Sequence, residues 1–136
     1  LFAASCASVD LATPEGFARF SDADGYVGMS PDGVYLRARL EANEPQQTLE
    51  FWQEVLDRHM RDSGYLPLND GEFESAAGTG YWAEWLAPVG EEDWIYLTAI
   101  AVSGADIAIV ESAGPAAYFR ERREAVYEAM ESVQVR

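Results

Sequence analysis

Glu84 is the side chain in this sequence with the most chemical potential. It stands in the run Tyr81-Trp82-Ala83-Glu84-Trp85-Leu86, surrounded by large apolar residues. Such surroundings destabilise a charged carboxylate. Its pKa would rise, and it could serve as a general acid with Glu74 or Glu111 as the second carboxylate. The competing and preferred reading is an ion pair with an arginine at a strand edge, for which Arg37 and Arg39 are the candidates. His59 is the only histidine, so no triad or metal site can be built on a partner histidine, and a core-edge imidazole is preferred over a catalytic base. Arg37 and Arg39 could together bind an anion, but in so acidic a chain they are expected to answer carboxylates on neighbouring strands. Tyr81, Trp85, Trp94 and Tyr96 could line an aromatic ligand pocket between sheet and helix; the alternative is that each ring is simply core. No pattern rises to a catalytic or cofactor motif, and no metal-ligand set is found.

The elements that must position these residues are easier to read. From Tyr81 to Ser112 the chain forms three consecutive strands, TGYWAEWLAP, DWIYLTAIAVS and DIAIVES, joined by short Gly- and acid-rich connections. The middle one is apolar on both alternating faces: Trp94, Tyr96, Thr98, Ile100 and Val102 point one way, and Ile95, Leu97, Ala99 and Ala101 the other. A strand with no wet side has to be covered twice. Two amphipathic helices supply the covers. The first runs from about Thr48 to Ser63, with Thr48 as N-cap, Gly64 as stop, and Leu49, Trp52, Val55, Leu56, His59 and Met60 as the stripe expected to pack on the sheet. The second starts at Gly114-Pro115 and continues to about Val133, burying Phe119, Val126, Ala129, Met130 and Val133.

Upstream, Phe17 to Phe20 and Gly25 to Met29 are short strand segments around SDADG. Asp22 and Asp24 before Gly25 have the beginning of a calcium loop's spacing but lack its further ligands and closing Glu, so a polar turn is preferred. Ser30-Pro31-Asp32-Gly33 is a strong turn. After it Val34 to Glu41 alternates, with Val34, Leu36, Ala38 and Leu40 facing the core and Tyr35, Arg37, Arg39 and Glu41 facing outward. Tyr65 to Leu68 and Glu72 to Ser75 are expected to form a hairpin through a type I′ turn at Asn69-Asp70-Gly71.

Composition narrows the partners. The chain has 136 residues, with 24 acidic side chains against 9 basic ones, all arginine, for a net charge of -15. That field repels nucleic acid and anionic lipid head groups, whose binding needs clustered Lys or Arg. A lysine-free acidic surface also resembles proteins adapted to high salt, where screening removes self-repulsion; a codon bias toward Arg on an ordinary acidic surface accounts for it equally. No apolar run is long enough to span a membrane.

The opening LFAASCASVD carries the only cysteine, Cys6, so no internal disulfide can form. Small residues Ala3, Ala4 and Ser5 before Cys6 look like the tail of a bacterial lipoprotein signal peptide, although that pattern prefers Leu where Ala3 stands. The resemblance implies lipid attachment at Cys6, a tether from Ala7 to Pro14, and an Ala7 that points to the outer membrane; the length of the chain and the Thr13–Gly16 turn give a single domain over 15–136. The other reading of Cys6 is a free thiol at a frayed terminus.

The order of elements resembles the PsbP-like and Mog-like fold, the group that includes bacterial envelope lipoproteins of the DcrB type. The resemblance is carried by Pro31 to Gly33, Phe51 and Trp52, Gly64-Tyr65, and Val110 to Pro115 running into Tyr118-Phe119, and it covers about Phe17 to Val133. It implies an α+β sandwich: a twisted, mainly antiparallel sheet with two main helices on its faces. Such a scaffold does not carry one function. The expected role is a non-enzymatic envelope lipoprotein on the periplasmic side that binds another protein or assembly, without cofactor and touching the membrane only through Cys6. A small-ligand binder is the alternative and a carboxylate-based enzyme the second one. The protein-binding reading requires an exposed apolar patch, for which Trp82, Trp85 and Trp94 are candidates.

Overall fold

A computed structural model describes residues 7–20 and 25–136. Cys6 and the Asp22–Asp24 segment lie outside the described residues. In chain order the elements are β1 (Val9–Asp10), β2 (Ala18–Phe20), β3 (Gly25–Met29), β4 (Tyr35–Ala42), α1 (Leu49–Asp62), β5 (Leu66–Ser75), β6 (Gly78–Val89), β7 (Glu92–Ser103), β8 (Asp106–Pro115), α2 (Ala116–Glu131) and β9 (Gln134–Val135). β1 and β9 pair with each other, and the remaining strands form a seven-stranded sheet ordered β2-β3-β4-β8-β7-β6-β5. Every neighbouring pair is antiparallel. The architecture is the expected α+β sandwich, with the β6-β7-β8 meander at its centre.

One face of the sheet packs on α2. Ile95, Leu97 and Ala99 of β7, Ala108 and Val110 of β8, and Leu36 and Ala38 of β4 meet Phe119, Val126, Ala129 and Met130 there. Burying Phe119, Val126 and Met130 contributes roughly 1.5–3 kcal/mol apiece, which makes α2 the firmly held helix. Its N-terminus lies one residue beyond the expectation: Pro115 closes β8 and caps α2 rather than opening its first turn.

The other face meets α1, and here the expectation of a fully packed stripe is corrected. Thr48 does cap the helix, its hydroxyl oxygen accepting from the Phe51 N–H at 3.2 Å, and Gly64 follows the C-cap at φ +90°. Only Met60 of the stripe is buried. Leu49 and Leu56 are partly buried against Tyr81, Ala83 and Trp85, whereas Val55 and His59 are exposed. α1 touches β5, β6 and β7; it is narrower than the sheet.

The Asn69-Asp70-Gly71 hairpin is also corrected. Leu66–Ser75 is one continuous strand along β6, with a register shift between Pro67 and Asn69, and the chain reverses at Ala76-Ala77 before Gly78. A type I′ turn needs positive φ at both central residues, and neither Asp70 nor Gly71 adopts it. Gly71 lies instead at a close approach: a Cβ there would stand 3.0 Å from the Trp82 indole.

Candidate functional site

The sheet alternates with period two, so the face bearing Tyr96, Thr98 and Ile100 of β7 continues across β8 through Ile107, Ile109 and Glu111 and across β4 through Tyr35, Arg37 and Arg39. Register carries it on to Val27 and Met29 of β3 and to Ala18 and Phe20 of β2. α1 covers the β5–β7 half of this face and Ile107 and Glu111 of β8 are buried as well, whereas no described element covers the β4-β3-β2 part. Phe20 is 51% exposed and Met29 42%. Where α1 ends sideways over the sheet a groove of about 410 Å³ opens, with Ile100, Ile107 and Ile109 as floor and Trp52, Val55, Leu56 and His59 as the helix wall.

α1 is fixed beside this groove by a buried asparagine. Asn43 Oδ1 accepts from Trp52 Nε1 at 2.7 Å and from the Gln47 N–H at 3.0 Å. Its Nδ2 donates to the carbonyls of Gln47 and Gly104, each at 3.1 Å, and its backbone N–H donates to Ala105 at 2.8 Å. One side chain thus joins the entry to α1, the Trp52 ring and the β7–β8 turn.

At the groove's polar end Glu111 collects three partners. Its Oε1 accepts from Arg37 Nη2 at 3.0 Å and Arg39 Nε at 3.2 Å, and its Oε2 accepts from the Tyr96 hydroxyl. Arg39 also pairs with Glu41. Burial alone would raise the Glu111 pKa, but the hydrogen bonds from Tyr96 and Arg37, the Arg37 charge and the Arg39 hydrogen bond outweigh it and hold the carboxyl below its ordinary value. Burial first, and then the Glu111 carboxylate, push the Tyr96 phenol far above its ordinary range. Near neutrality Glu111 is therefore ionised and Tyr96 protonated. The cluster anchors charge and is poorly suited to move a proton.

Glu84 lies on the opposite, α2 face. It is 3% exposed, its Oε1 accepts from Arg123 Nε at 3.1 Å and Nη2 at 2.8 Å, and its Oε2 accepts from the Tyr127 hydroxyl. The ion-pair reading holds with a different partner: Arg37 and Arg39 answer Glu111 through the sheet's other face, and the arginine for Glu84 comes from α2. Glu74 is exposed and accepts from Thr79 Oγ1 at 2.9 and 3.0 Å. Glu84 converges with neither of the carboxylates proposed for it, because alternation sends Glu84 and Glu111 to opposite sides.

The four aromatics considered for a ligand pocket fall at different places. Trp85 is 1% exposed and its Nε1 donates to Thr98 Oγ1 at 3.1 Å, so it is core. Tyr81 is buried beneath α1 and donates to Asp70 Oδ2 at 3.2 Å, its pKa pushed up to about 12 by burial and then by Asp70. Trp94 sits near the end of β7 opposite Ala87 and Pro115. Only Tyr96 lines the groove. Trp82 packs beside Tyr127 with ring centroids 5.1 Å apart; Leu66, Leu68, Val89 and Tyr118 are exposed, and on the α1 side the exposed apolar surface is made of Phe20 and Met29 on the sheet and Phe51 and Val55 on α1. Its one legible signal is β3, where Tyr26 and Gly28 face the core and the outward set Gly25, Val27 and Met29 has no polar side chain.

Among the described residues no group of three or more His, Cys, Asp or Glu side chains is disposed to hold a metal ion, and no helix is long and apolar enough to cross a membrane.

No protein-family model matches the sequence, and no curated protein matches it. Solved structures do. LpqN, involved in cell envelope biogenesis of Mycobacterium tuberculosis, superposes with a TM-score of 0.71 at 8% identity over 95% of this chain and 83% of that one. PA94 of Pseudomonas aeruginosa, a protein of unknown function, gives 0.66 at 8% identity over the same 95% and 83%. The cyanobacterial PsbP of Synechocystis sp. PCC 6803 gives 0.63 at 13% identity over 95% and 93%. The fold is PsbP-like, and its structural neighbours include a cell envelope protein.

Proposed function

We propose that this chain is a non-enzymatic binding module of the bacterial cell envelope that docks another protein through the open part of its α1 face. One observation carries the reading: Phe20 at 51% and Met29 at 42% exposure stand on a part of the sheet face that no described element covers, and Val55, 45% exposed, stands on α1 over the same face. Exposed apolar surface of this kind marks interaction sites in soluble domains. The residues around it, Phe20, Met29, Tyr35, Arg37, Arg39 and Trp52, are of the types enriched in interface centres. Membership of a scaffold that also serves LpqN in envelope biogenesis supports the location. Lipidation at Cys6 would hold the domain on the periplasmic side, tethered to the membrane by its acyl chains, and on the Ala7 reading that membrane is the outer one. Both carboxylates best placed for chemistry are locked by arginine, which supports a binding role over catalysis.

The test is crosslinking in native envelopes with wild type, Met29→Asp and Tyr118→Asp. Tyr118 is equally exposed, at 45%, on α2. A partner captured by wild type and Tyr118→Asp and lost with Met29→Asp is expected. Equal capture by all three, or by none, overturns the reading.

A small apolar ligand in the groove is the second reading, favoured by its volume of about 410 Å³, within the range of ordinary ligand sites. It rests on Trp52 and on Tyr96, the one of the four aromatics singled out from sequence that lines the groove.

A further inference from the structure

We infer that the free edge of β5 is a strand-addition site for an extended segment of a partner protein in which Lys or Arg alternates with apolar residues. β5 and β2 are the two outer strands of the seven-stranded sheet, so this edge lies across the whole sheet from Phe20 and Met29. The site is separate from the docking face proposed above and does not depend on it.

Backbone geometry decides which part of the edge is open. Ser75 pairs with Gly78 across the two-residue turn Ala76-Ala77, and in so tight a hairpin that pair must exchange both of its hydrogen bonds. Alternation then turns the N–H and C=O of Phe73, Gly71 and Asn69 toward β6, and those of Glu74, Glu72 and Asp70 outward. The first half of the strand is guarded: Pro67 has no N–H, the register shifts between Pro67 and Asn69, and the Asp70 N–H donates to Asn69 Oδ1 at 3.0 Å. From Glu72 to Ser75 only side-chain charge guards the backbone. The Glu72 and Glu74 N–H groups and the Asp70, Glu72 and Glu74 carbonyls face outward with no strand beyond them.

The charges specify one side of the added strand. Asp70, Glu72 and Glu74 are exposed and, at alternate positions, share the face of Tyr81 and Ala83. Asp70 accepts from the Tyr81 hydroxyl and Glu74 from Thr79 Oγ1, but among the described residues none of the three carboxylates lies in an ion pair. In the hollow between β5 and α1, Arg58 and Arg61 answer Glu54 and Asp57, so Asp70 is left uncompensated there too. Like charges directly opposite one another destabilise a strand pair. A second copy pairing its β5 antiparallel about Glu72 would set Glu72 against Glu72 and Asp70 against Glu74, which opposes this chain as its own occupant. Lys or Arg at every second position of the added strand meets all three acids.

The intervening positions face the other side, where Gly71 leaves room beside an aromatic ring. The Trp82 indole stands 3.0 Å from where a Gly71 Cβ would be, and it is only partly buried. An apolar side chain opposite Gly71 on the added strand covers that indole. The recognised pattern is therefore basic on the α1 side and apolar on the α2 side, with period two.

The probes are a seven-residue alternating Lys/Val peptide and two N-methylated forms of it, one methylated on the Lys amides and one on the Val amides, titrated by NMR. Lys residues opposite the acids must turn their own N–H groups toward β5, so methylation there blocks pairing and methylation on Val does not. The protein is used as wild type, as Glu72→Lys/Glu74→Lys, and as Glu121→Lys/Glu128→Lys, the last placing the same charge change at exposed sites of α2. Saturable one-to-one binding with slowed exchange of the Glu72 and Glu74 amides is expected, weakened roughly tenfold or more by the β5 substitutions and little by those on α2. The Val-methylated peptide should bind and the Lys-methylated one should not. No binding at millimolar peptide, equal weakening by both double variants, or equal binding of the two methylated peptides overturns the inference. The peptide comparison is made on wild-type protein, so a misfolded variant cannot imitate its outcome.

Discussion

Arg123, on the second helix, donates two hydrogen bonds to one carboxylate oxygen of Glu84 on β6, at 3.1 and 2.8 Å. The pair pins α2 to the sheet from the side opposite the proposed docking face.

Replacing Arg123 with Met should therefore destabilise the fold. A carboxylate 3% exposed would keep the Tyr127 hydroxyl but lose its cation. Breaking a fully buried pair costs roughly 3–5 kcal/mol; since the Arg123 side chain is 37% exposed, about 2–3 kcal/mol is expected after solvent screening. Chemical denaturation measures it. Glu84→Gln in the Arg123→Met background should recover part of the loss, and no recovery would show that the buried charge is not its cause.

The Glu111 cluster sets an acid limit. Its folded-state pKa lies below the unfolded value, the causes being burial, which raises it, outweighed by Tyr96, Arg37 and Arg39. The stabilisation is therefore present above the unfolded value of about 4.3 and is lost as pH falls through the folded one. The stability gap between wild type and Glu111→Gln should be constant at neutral pH and close in the acid range. At the alkaline end the signs reverse in range: Tyr96 and Tyr127 have folded pKa values raised by burial and by Glu111 or Glu84. Their contribution is intact below about pH 10 and declines above it, so Tyr127→Phe should flatten the alkaline limb of the stability curve.

Asn43 should matter more than its loop position suggests. Asn43→Ala leaves the Gln47 N–H and the Gly104 carbonyl without their side-chain partners and frees the Trp52 indole, at a cost of about 3 kcal/mol. Trp52→Phe removes only one donor, since the Gln47 N–H still satisfies Asn43 Oδ1, and should cost about 1 kcal/mol. Amide exchange in the first turn of α1 should accelerate in Asn43→Ala and stay near wild type in Trp52→Phe.

The charge of -15 without lysine predicts a melting temperature that rises with salt through the molar range, as screening shortens to about 3 Å at 1 M. The rise should be smaller in a variant with several α1 carboxylates converted to amides. A melting temperature indifferent to salt would leave an arginine codon preference as the simpler account of the composition.

Much of the fold was legible in the sequence. Period-two alternation located β4 and the β6-β7-β8 meander and assigned their side chains to faces. The two-sided apolar strand β7 required a cover on each side, and Thr48, Gly64 and Pro115 marked the helix ends. These are local rules, set by backbone geometry and by whether a side chain can be left in water. The Asn69-Asp70-Gly71 composition suits a hairpin, but pairing with β6 continues through Asp70 and Gly71, a long-range contact that local composition does not encode.

What only the tertiary structure decided is which elements meet. The sequence makes Glu84 a carboxylate in need of a cation; Arg123, Arg37 and Arg39 are chemically equivalent answers until the chain is folded, and strand order together with the seat of α2 selects one. It likewise gives α1 an apolar stripe, but not that the sheet beneath is wider than the helix, leaving Val55, Phe20 and Met29 uncovered. Side-chain periodicity is fixed within a strand or helix by its own geometry. The width of a sheet and the placement of a helix on it depend on pairing between segments far apart in sequence.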